Sequence, residues 1–385
     1  MQLADLGADV LKVEEPERGD ESRAFAPPFV GTESAYFLAV NRNKRGIAVD
    51  LKNAAGRDIV LRLAAQSDVV IENFRPGAMD RLGLGDAALA AVNPNLILCS
   101  ISGFGREGPD AERPGYDLII QGESGIMDVT GFRDGAPSKV GVSIGDLVAG
   151  LYAAQGILAA LRRRDLEPTK QPIRVDISML DGLASLLTFT AGIYFATGTS
   201  PTRRGNEHPT IAPYETFAVA DGWLNVAVAN DRFWRLFCQA VDAPELASDA
   251  RFETAPQRVA HRAVLTPLVA DILAQRSRAE WLTALGAAGV PCGAIRTIDE
   301  ICTAPQLTER GMVLETLHPS AGIVRSIGSP VRFDSAPPAA ALPSPMLGEH
   351  TRSVLTDRLG LDDEAIDALI RSGAVGARAV ETDHG

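Results

Sequence analysis

The sequence predicts an α/β protein with a large, doubly wound domain and a smaller α+β domain. Three observations support this fold class. Short β-branched runs alternate with helical segments through the first part of the chain, which is typical of a parallel sheet covered by helices. A turn-rich segment at 201–215 marks a change of composition. The chain has 385 residues, which exceeds what a single hydrophobic core usually holds.

The first elements supply the predicted sheet of the large domain. The runs with a strand pattern lie at 8–14, 46–51, 68–74 and 95–105. The helical segments between them lie at 54–66 and 85–93. A parallel sheet of this kind is buried on both faces, and ligands bind beyond the carboxyl ends of its strands.

Two longer helical patterns follow, at 146–164 and 177–197, and both are strongly apolar. In the first, leucines recur on one face, which predicts that this stripe faces the core. They are Leu147, Leu151, Leu158 and Leu161. Near the end of the chain, a connection rich in Pro, Ser and Ala at 320–347 leads to a capped helix that ends at Gly373.

The linker at 201–215 separates the two predicted domains. The large domain comprises residues 1–200, to which 320–385 return. The small domain comprises 216–319, because the strand region FAVADGWLNVAVA and several helices follow the linker.

The composition argues against several classes of function. The net charge of −12 argues against a nucleic-acid or anionic-membrane partner. The four cysteines lack C-x-x-C spacing, so neither a metal site nor a disulfide framework is predicted. No apolar run approaches the ~20 residues of a membrane span, and the start of the chain lacks the basic and apolar regions of a signal peptide. We therefore predict a cytoplasmic enzyme.

The segment GVSIGDLVAG at 141–150 contains two candidate nucleophiles. Ser143 lies in a G-x-S-x-G pattern, but a nucleophile elbow follows a strand, and the preceding APSKVGVS is short and interrupted. Asp146 lies at the N-cap or N1 position of the predicted helix, where the helix dipole keeps a carboxylate ionised for attack. A plain capping role for Asp146 is the alternative.

Two further motifs also have ordinary interpretations. GFGREG at 103–108 matches a dinucleotide fingerprint, but Pro109 follows and no helix begins there, so we interpret it as a tight loop at a strand end. Basic residues cluster in NRNKRGIAVDLK and ENFRPGAMDRLGLG, which favours either an anion site or a solvated face.

Eight segments in register resemble one enzyme family. They are LGADVLKVEEP, NRNKRGIAVDLK, ENFRPGAMDRLG, SISGFGREGP, GYDLIIQGESG, SIGDLVAGLYAAQGILAAL, VDISMLDG and LGEHT. Together they resemble the family III coenzyme A transferases, the formyl-CoA transferase and carnitine-CoA transferase (CaiB/BaiF) group. The resemblance implies a Rossmann-like large domain and an interlocked homodimer, in which each chain is threaded through the other.

The resemblance also implies a mechanism. The nucleophile of the family lies in G-D-x-x-x-G at the start of a helix, which places it at Asp146 here. Acyl-aspartyl anhydrides and an aspartyl-CoA thioester form on this carboxylate while CoA passes from an acyl-CoA donor to a free acid acceptor. The CoA thioester is a substrate, and no tightly bound cofactor is implied.

Tyr116 and Asp117 match the transferase pattern at a second position. Related α-methylacyl-CoA racemases carry a His where Tyr116 stands, and they use it with the Asp for α-proton transfer. A phenol with a pKa near ~10 is a poor base at neutral pH, so transfer is favoured. Racemase or epimerase activity remains the alternative.

The resemblance assigns CoA contacts to six residues in two segments. They are Val49, Lys52, Asn73, Phe74, Ala78 and Arg81. Lys and Arg suit the phosphates, and Phe74 suits the adenine or the pantetheine arm. A family arginine just after the first strand corresponds to Glu15, which is a departure from the pattern.

Two other departures concern the wall of the site. Family members usually begin with a strand, a loop and a helix ahead of the segment at which this chain starts. If the chain begins at this segment, the sheet lacks that strand and the site lacks one wall, and an inactive CoA-binding homologue is a third hypothesis. A start position assigned too far along the sequence is the simpler explanation of the difference. The segment 203–217 replaces the family's glycine-rich loop and looks more like members that act on dicarboxylic or larger acids. His208 or Arg204 would meet the acceptor carboxylate there.

Overall fold

Strands and helices alternate through the first part of the chain, as the sequence predicts. The computed structural model describes residues 1–167, 171–334 and 342–378. The strands are β1 (Val10–Glu14), β2 (Phe29–Val30), β3 (Glu33–Ser34), β4 (Lys44–Val49), β5 (Val69–Glu72), β6 (Ile97–Ser102), β7 (Ile173–Ser178), β8 (Tyr214–Val219), β9 (Gly222–Ala227), β10 (Cys292–Ala294), β11 (Val313–His318), β12 (Gly322–Ile327) and β13 (Val375–Gly376).

The helices occupy the segments between these strands, and a short 3-10 helix spans Glu21–Ala24. They are α1 (Gln2–Asp5), α2 (Ala35–Val40), α3 (Ala54–Ala64), α4 (Ala78–Arg81), α5 (Asp86–Val92), α6 (Asp117–Glu123), α7 (Ile126–Val129), α8 (Ile144–Leu166), α9 (Met179–Ser185), α10 (Thr188–Thr197), α11 (Asp231–Ala240), α12 (Glu245–Ser248), α13 (Ala255–Ala260), α14 (Arg262–Leu273), α15 (Arg278–Ala287), α16 (Ile298–Cys302), α17 (Pro305–Glu309), α18 (Thr351–Leu359) and α19 (Asp363–Arg371).

Parallel strands form two sheets. β1 pairs with β4 in parallel, and the other edge of β4 pairs with antiparallel β13. In the second sheet β6 lies between β5 and β7, all parallel, with Ser102 opposite Ser178. The sequence predicts a single sheet from these strands, whereas no ladder joins the two sets within residues 1–167, 171–334 and 342–378.

Antiparallel pairing supplies the other sheets. β8, β9 and β10 form a three-stranded sheet, and β11–β12 and β2–β3 are hairpins. The strand β7 corrects the sequence prediction, which included its last residues in the helix at 177–197. The predicted connection at 320–347 contains β12, and its residues 335–341 lie outside the part of the chain that the structure describes.

The chain forms two compact units. One contains Met1–Ser124, Val142–Leu186 and Cys302–Gly385, and the other contains Gly125–Gly141 and Leu187–Ile301. Each unit is defined by the contacts among its own residues, which is a different criterion from the change of composition used to predict the domains. The division into domains at 1–200, 216–319 and the returning tail stays a prediction.

Each unit has its own apolar core. In the first, Ile47 of β4 packs with Ile59 of α3 and with Val354 and Ile366 of the last two helices. In the second, two tryptophans and two phenylalanines are fully buried beside the β8–β9 hairpin, namely Trp234, Phe237, Phe252 and Trp281. Burial of each such side chain contributes roughly 1.5–3 kcal/mol.

Helix α8 buries the opposite face from the one that the leucine stripe predicts. Leu147, Leu151 and Leu158 are 50%, 54% and 46% exposed. Leu161, the fourth leucine of the stripe, is partly buried and packs against the core, as predicted. The buried face consists mainly of smaller residues, Val148, Ala149, Ala153, Ile157 and Ala160, and it packs against β6, β7 and α9. By length and composition alone α8 would suit a membrane span, although its inner face packs against strands and a helix of the same unit.

Candidate active site

The start of α8 presents the two candidate nucleophiles in different surroundings. Ser143 is the N-cap residue, and its side chain makes no cap hydrogen bond. Asp146 is the third residue of the helix, so the predicted N-cap or N1 position was wrong by two or three residues. Residues 130–143 contain no strand, and Ser143 therefore does not stand on a strand-to-helix elbow.

A residue from a neighbouring helix caps α8 instead. Asp117 is the first residue of α6, and its Oδ1 accepts a hydrogen bond from the Gly145 N–H at 2.8 Å. Its Oδ2 accepts from Nε2 of Gln121 at 2.8 Å, and Gln121 is fully buried. Both carboxylate oxygens of Asp117 are thus held, and the helix that carries Asp146 is fixed to α6.

Gly145 gives Asp117 the space for this contact. A Cβ added at Gly145 would lie 3.1 Å from Asp117 Oδ1 and 3.4 Å from the Met179 methyl carbon. A larger residue would therefore press on the carboxylate that caps the helix.

Asp146 is an exposed residue at this helix start, as a nucleophile must be. Partial burial of the group, and then the nearby Asp117 carboxylate, raise the pKa of Asp146 above its ordinary value. A more basic carboxylate is the stronger nucleophile, and the N-terminal end of the helix dipole still favours its ionised form.

Tyr116 stands directly before Asp117 and is 70% exposed. The turn that carries Tyr116 packs closely on the GFGREG loop. A Cβ added at Gly103 would lie only 2.7 Å from the Gly115 Cα, so the two backbones can approach this closely only with glycine there. No helix begins inside that loop, and α6 starts only at Asp117. The loop thus positions Tyr116 rather than cradling a dinucleotide.

A large open cavity of about 650 Å³ lies at the carboxyl ends of two pairs of parallel strands. Residues from β1, β4, β5 and β6 or their following loops line it, and Tyr116 lies at its wall. Four of the six residues predicted to contact CoA line this cavity, namely Val49, Lys52, Asn73 and Phe74. Ala78 and Arg81, on α4, are not among its lining residues.

Basic groups on the cavity wall differ in their availability to an anion. Lys12 is paired with Asp20, and Arg113 with Glu123. Within the described ranges Lys52 and Arg75 make no ion pair. Arg75 belongs to the basic segment ENFRPGAMDRLGLG, but the sequence pattern does not single it out as a contact. Its position on the cavity wall is visible only in the structure.

Glu15 also lines the cavity, so the departure from the family pattern is at the wall itself. Its carboxylate accepts a hydrogen bond from the Arg18 N–H at 2.7 Å. Hydrogen bonds from the backbone of its own turn, Arg18 first, lower the pKa of Glu15. Glu15 is therefore ionised, and its carboxylate is hydrogen-bonded to the backbone of its own turn.

In the second unit, the segment 203–217 has a fixed conformation around His208. The Nδ1 of His208 accepts from the Thr210 N–H at 3.2 Å, and its ring lies 5.1 Å from the Tyr214 ring. Arg262 donates to the carbonyl oxygens of His208 and Ile211, at 2.6 Å each. This arrangement leaves the proton of neutral His208 on Nε2.

Three comparisons relate the chain to known proteins. The model of "CoA-transferase family III" matches residues 1–351. Succinyl-CoA:glutarate CoA-transferase of Mus musculus is 38% identical over 97% of this chain and 86% of its own length. Acetyl-CoA:oxalate CoA-transferase of Acetobacter aceti is 40% identical over 86% of this chain and 83% of its own. The crystal structure of a CAIB/BAIF family protein from Brucella suis superposes with a TM-score of 0.84 and 42% identity, over 92% of this chain and 93% of that one.

Proposed function

This chain belongs to CoA-transferase family III and is a CoA-transferase, and we propose that it transfers CoA through covalent intermediates on Asp146. One observation carries the proposal. Asp146 is an accessible carboxylate with a raised pKa in the first turn of a long helix, and the Asp117–Gly145 hydrogen bond holds that turn in place.

The proposed reaction exchanges acyl groups without a net change of charge. The Asp146 carboxylate attacks the donor thioester carbonyl, the C–S bond breaks, and a mixed anhydride and CoA thiolate result. The thiolate attacks the Asp146 carbonyl of the anhydride, which releases the donor acid and forms the aspartyl-CoA thioester. The acceptor carboxylate attacks this thioester and releases the thiolate. The thiolate then attacks the acceptor carbonyl of the new anhydride and regenerates the Asp146 carboxylate.

The cavity beyond the strand ends is the proposed CoA site. Lys52 and Arg75 line it, make no ion pair with any other residue that the structure describes, and suit the phosphate groups. Phe74 is exposed at the wall and suits the adenine ring. Val49 and Asn73 lie along the same wall, and Ala78 and Arg81 on α4 remain proposed contacts. Tyr116 and Asp117 complete the site beside Asp146, and no resident cofactor takes part.

We propose succinyl-CoA as the donor and a short dicarboxylic acid as the acceptor. The support is that the mouse relative is named for succinyl-CoA and glutarate, and the Acetobacter relative for oxalate. Each of these free acids carries a second carboxylate. Arg204 suits such a group by its charge, and His208 suits it by hydrogen bonding.

We also propose that the two parallel sheets belong to one doubly wound, Rossmann-like layer and that two chains interlock as a homodimer. The ends of both sheets line one cavity, which supports the first proposal. The apolar stripe on α8 supports the second, as does α10, in which no residue is buried. Exposed apolar surface of this extent is typical of a subunit interface.

An exchange assay tests the transfer. Purified protein is incubated with succinyl-CoA and isotope-labelled glutarate, oxalate or a monocarboxylic acid, and new thioesters are identified by mass spectrometry. We expect glutaryl-CoA or oxalyl-CoA from the wild type and from Ser143→Ala. We expect a loss of at least ~10³-fold in Asp146→Asn, because the nucleophile is removed.

Trapping identifies the residue that is acylated. In the presence of hydroxylamine, succinyl-CoA should convert Asp146 into its hydroxamate, which peptide mass spectrometry locates. Transfer that survives in Asp146→Asn, or a hydroxamate on another residue, would refute the mechanism. Thioester binding without turnover would instead favour the inactive homologue, and solvent deuterium at the α-carbon would favour the racemase.

A further inference from the structure

The wall of the large cavity carries unpaired charges of both signs. Lys52 and Arg75 are the cations without an ion-pair partner among the described residues. Three carboxylates of the same wall also lack such a partner in the described part of the chain, namely Glu15, Glu21 and Asp50. The unpaired charge of the wall is therefore not positive overall, although the proposed ligand is an anion.

The remaining charged groups of the wall are paired. Glu14 accepts from Arg23 at 2.7 Å, and Lys12 is paired with Asp20. Arg113 is held by Glu123. These pairs contribute little field in the cavity, because their opposite charges largely cancel at a distance.

Glu15 lies beside the carboxyl end of β4. Strands β1 and β4 are parallel neighbours with Glu14 opposite Ala48, so Glu15 stands level with Val49, the last residue of β4, on a strand about 4.8 Å away. Glu15 is exposed, whereas Asp50 is partly buried and its Oδ1 accepts from the Lys52 N–H at 2.8 Å. Of these two carboxylates, Glu15 is thus the more open to an anion held at the end of β4.

We propose that Glu15 is a specificity-determining residue that weakens the binding of phosphate-bearing thioester carriers by charge repulsion. The inference rests on the proposed function, in which the CoA phosphates lie at Lys52 and Arg75. Like charges repel over ~10 Å at 0.1 M salt, and the repulsion grows with the number of phosphate groups on the carrier. Glu15 therefore reduces the preference of the site for CoA over dephospho-CoA, which lacks the 3′-phosphate.

The test measures the affinities of CoA and dephospho-CoA by titration calorimetry, for wild type and Glu15→Gln. The amide oxygen of Gln can still accept from the Arg18 N–H, so the turn is kept while the charge is removed. We expect Glu15→Gln to bind CoA about three- to tenfold more tightly and dephospho-CoA only about twofold more tightly. Both gains should shrink in 0.5 M NaCl, because salt screens the repulsion.

A neighbouring glutamate supplies the matched control. Glu17 is exposed in the same turn but is not among the lining residues of the cavity, and Glu17→Gln should change both affinities less than about twofold. Reversal of the charge in Glu15→Lys should add a further gain for CoA. Thermal unfolding should show the same Tm for wild type and Glu15→Gln, so that a change of affinity is not a change of folding.

Three outcomes would overturn the inference: an unchanged CoA affinity in Glu15→Gln, equal gains for the two probes, or a gain of the same size in Glu17→Gln. If wild type transfers CoA and one of these outcomes is found, this inference fails alone. Wild type that shows the Glu15 dependence but transfers nothing would refute the transfer function alone. Wild type that binds neither probe would refute both.

Discussion

Asp117 acts on Asp146 in two ways that can be separated by mutation. Its carboxylate caps the first turn of α8 through the Gly145 N–H, and its negative charge contributes, after burial, to the raised pKa of Asp146. The first effect fixes the position of the proposed nucleophile. The second makes its carboxylate more basic.

Replacement of Asp117 by Asn should keep the cap and remove the charge. The amide oxygen can still accept from Gly145, while the Gln121 amide turns over to accept from the new NH₂ group. In the proposed mechanism Asp146 attacks only when it is ionised, so a lower pKa of Asp146 extends activity to lower pH. We therefore expect the acidic limb of the kcat/KM profile to move to lower pH in Asp117→Asn, with a reduced plateau rate at high pH.

Two controls accompany this profile. Asp181→Asn, on α9, should leave the limb in place, because Asp181 is not among the causes of the shifted pKa. Asp117→Ala should also lose the cap and destabilise the protein by about 1 kcal/mol. A limb that stays where it is in Asp117→Asn would show that burial alone sets the pKa of Asp146.

At the scale of elements, α8 is fitted to its surroundings by small residues. Gly156 is one example, because an added Cβ would lie 2.7 Å from Val175 Cγ1 of β7. The helix is apolar on both faces, so hydrophobic periodicity alone does not determine which face is buried. The leucines are larger than most residues of the opposite face. Because β7 approaches α8 closely, the face with the smaller residues is the one that packs against it.

Two glycines of α8 give a matched pair of variants. Gly145→Ala places a methyl group 3.1 Å from Asp117 Oδ1, and we expect kcat to fall about tenfold, since small displacements of a nucleophile are costly. At Gly150 nothing lies within 4 Å of the added Cβ, and we expect Gly150→Ala to raise stability by roughly 0.5–1 kcal/mol. Steady-state kinetics and thermal unfolding measure both variants. A fall in kcat of the same size in Gly150→Ala would show that the effect is not specific to the cap.

Local pattern was enough to predict the parallel strands β1, β4, β5 and β6 and the helices α3, α5, α8 and α19 of the first unit. Strands predicted at 46–51 and 95–105 correspond to Lys44–Val49 and Ile97–Ser102, and the helix at 54–66 to Ala54–Ala64. The strand β7 was missed because its alternation of apolar and polar residues runs directly into α9. The separation of the strands into two sheets depends on long-range pairing, which periodicity does not contain.

The sequence suggested which residue type would react at the candidate site, but it did not indicate which residues contact one another there. Asp146 follows from its place at a helix start and from the resemblance. The cap from Asp117 joins residues that are far apart in the sequence, and no local pattern marks it.

At the scale of the whole molecule, the exposed apolar stripe of α8 predicts self-association. We expect light scattering after size-exclusion chromatography to give about twice the chain mass of 40.8 kDa. The double variant Leu151→Glu, Leu158→Glu should form monomers, because charges in a buried interface are unfavourable. Val264→Glu, an exposed apolar position on α14, serves as the control and should remain dimeric. A wild type that elutes as a monomer would contradict the proposed dimer.

The Arg262 contacts with His208 and Ile211 have a thermodynamic consequence. By holding two carbonyl oxygens at 2.6 Å, one guanidinium orders this loop when the second unit folds. The conformational entropy of the loop is then lost during folding, and a ligand that meets His208 need not supply the free energy to order it. The affinity for a ligand that contacts His208 should therefore include little cost of ordering the loop. The free energy of unfolding of the second unit, in contrast, should depend strongly on Arg262.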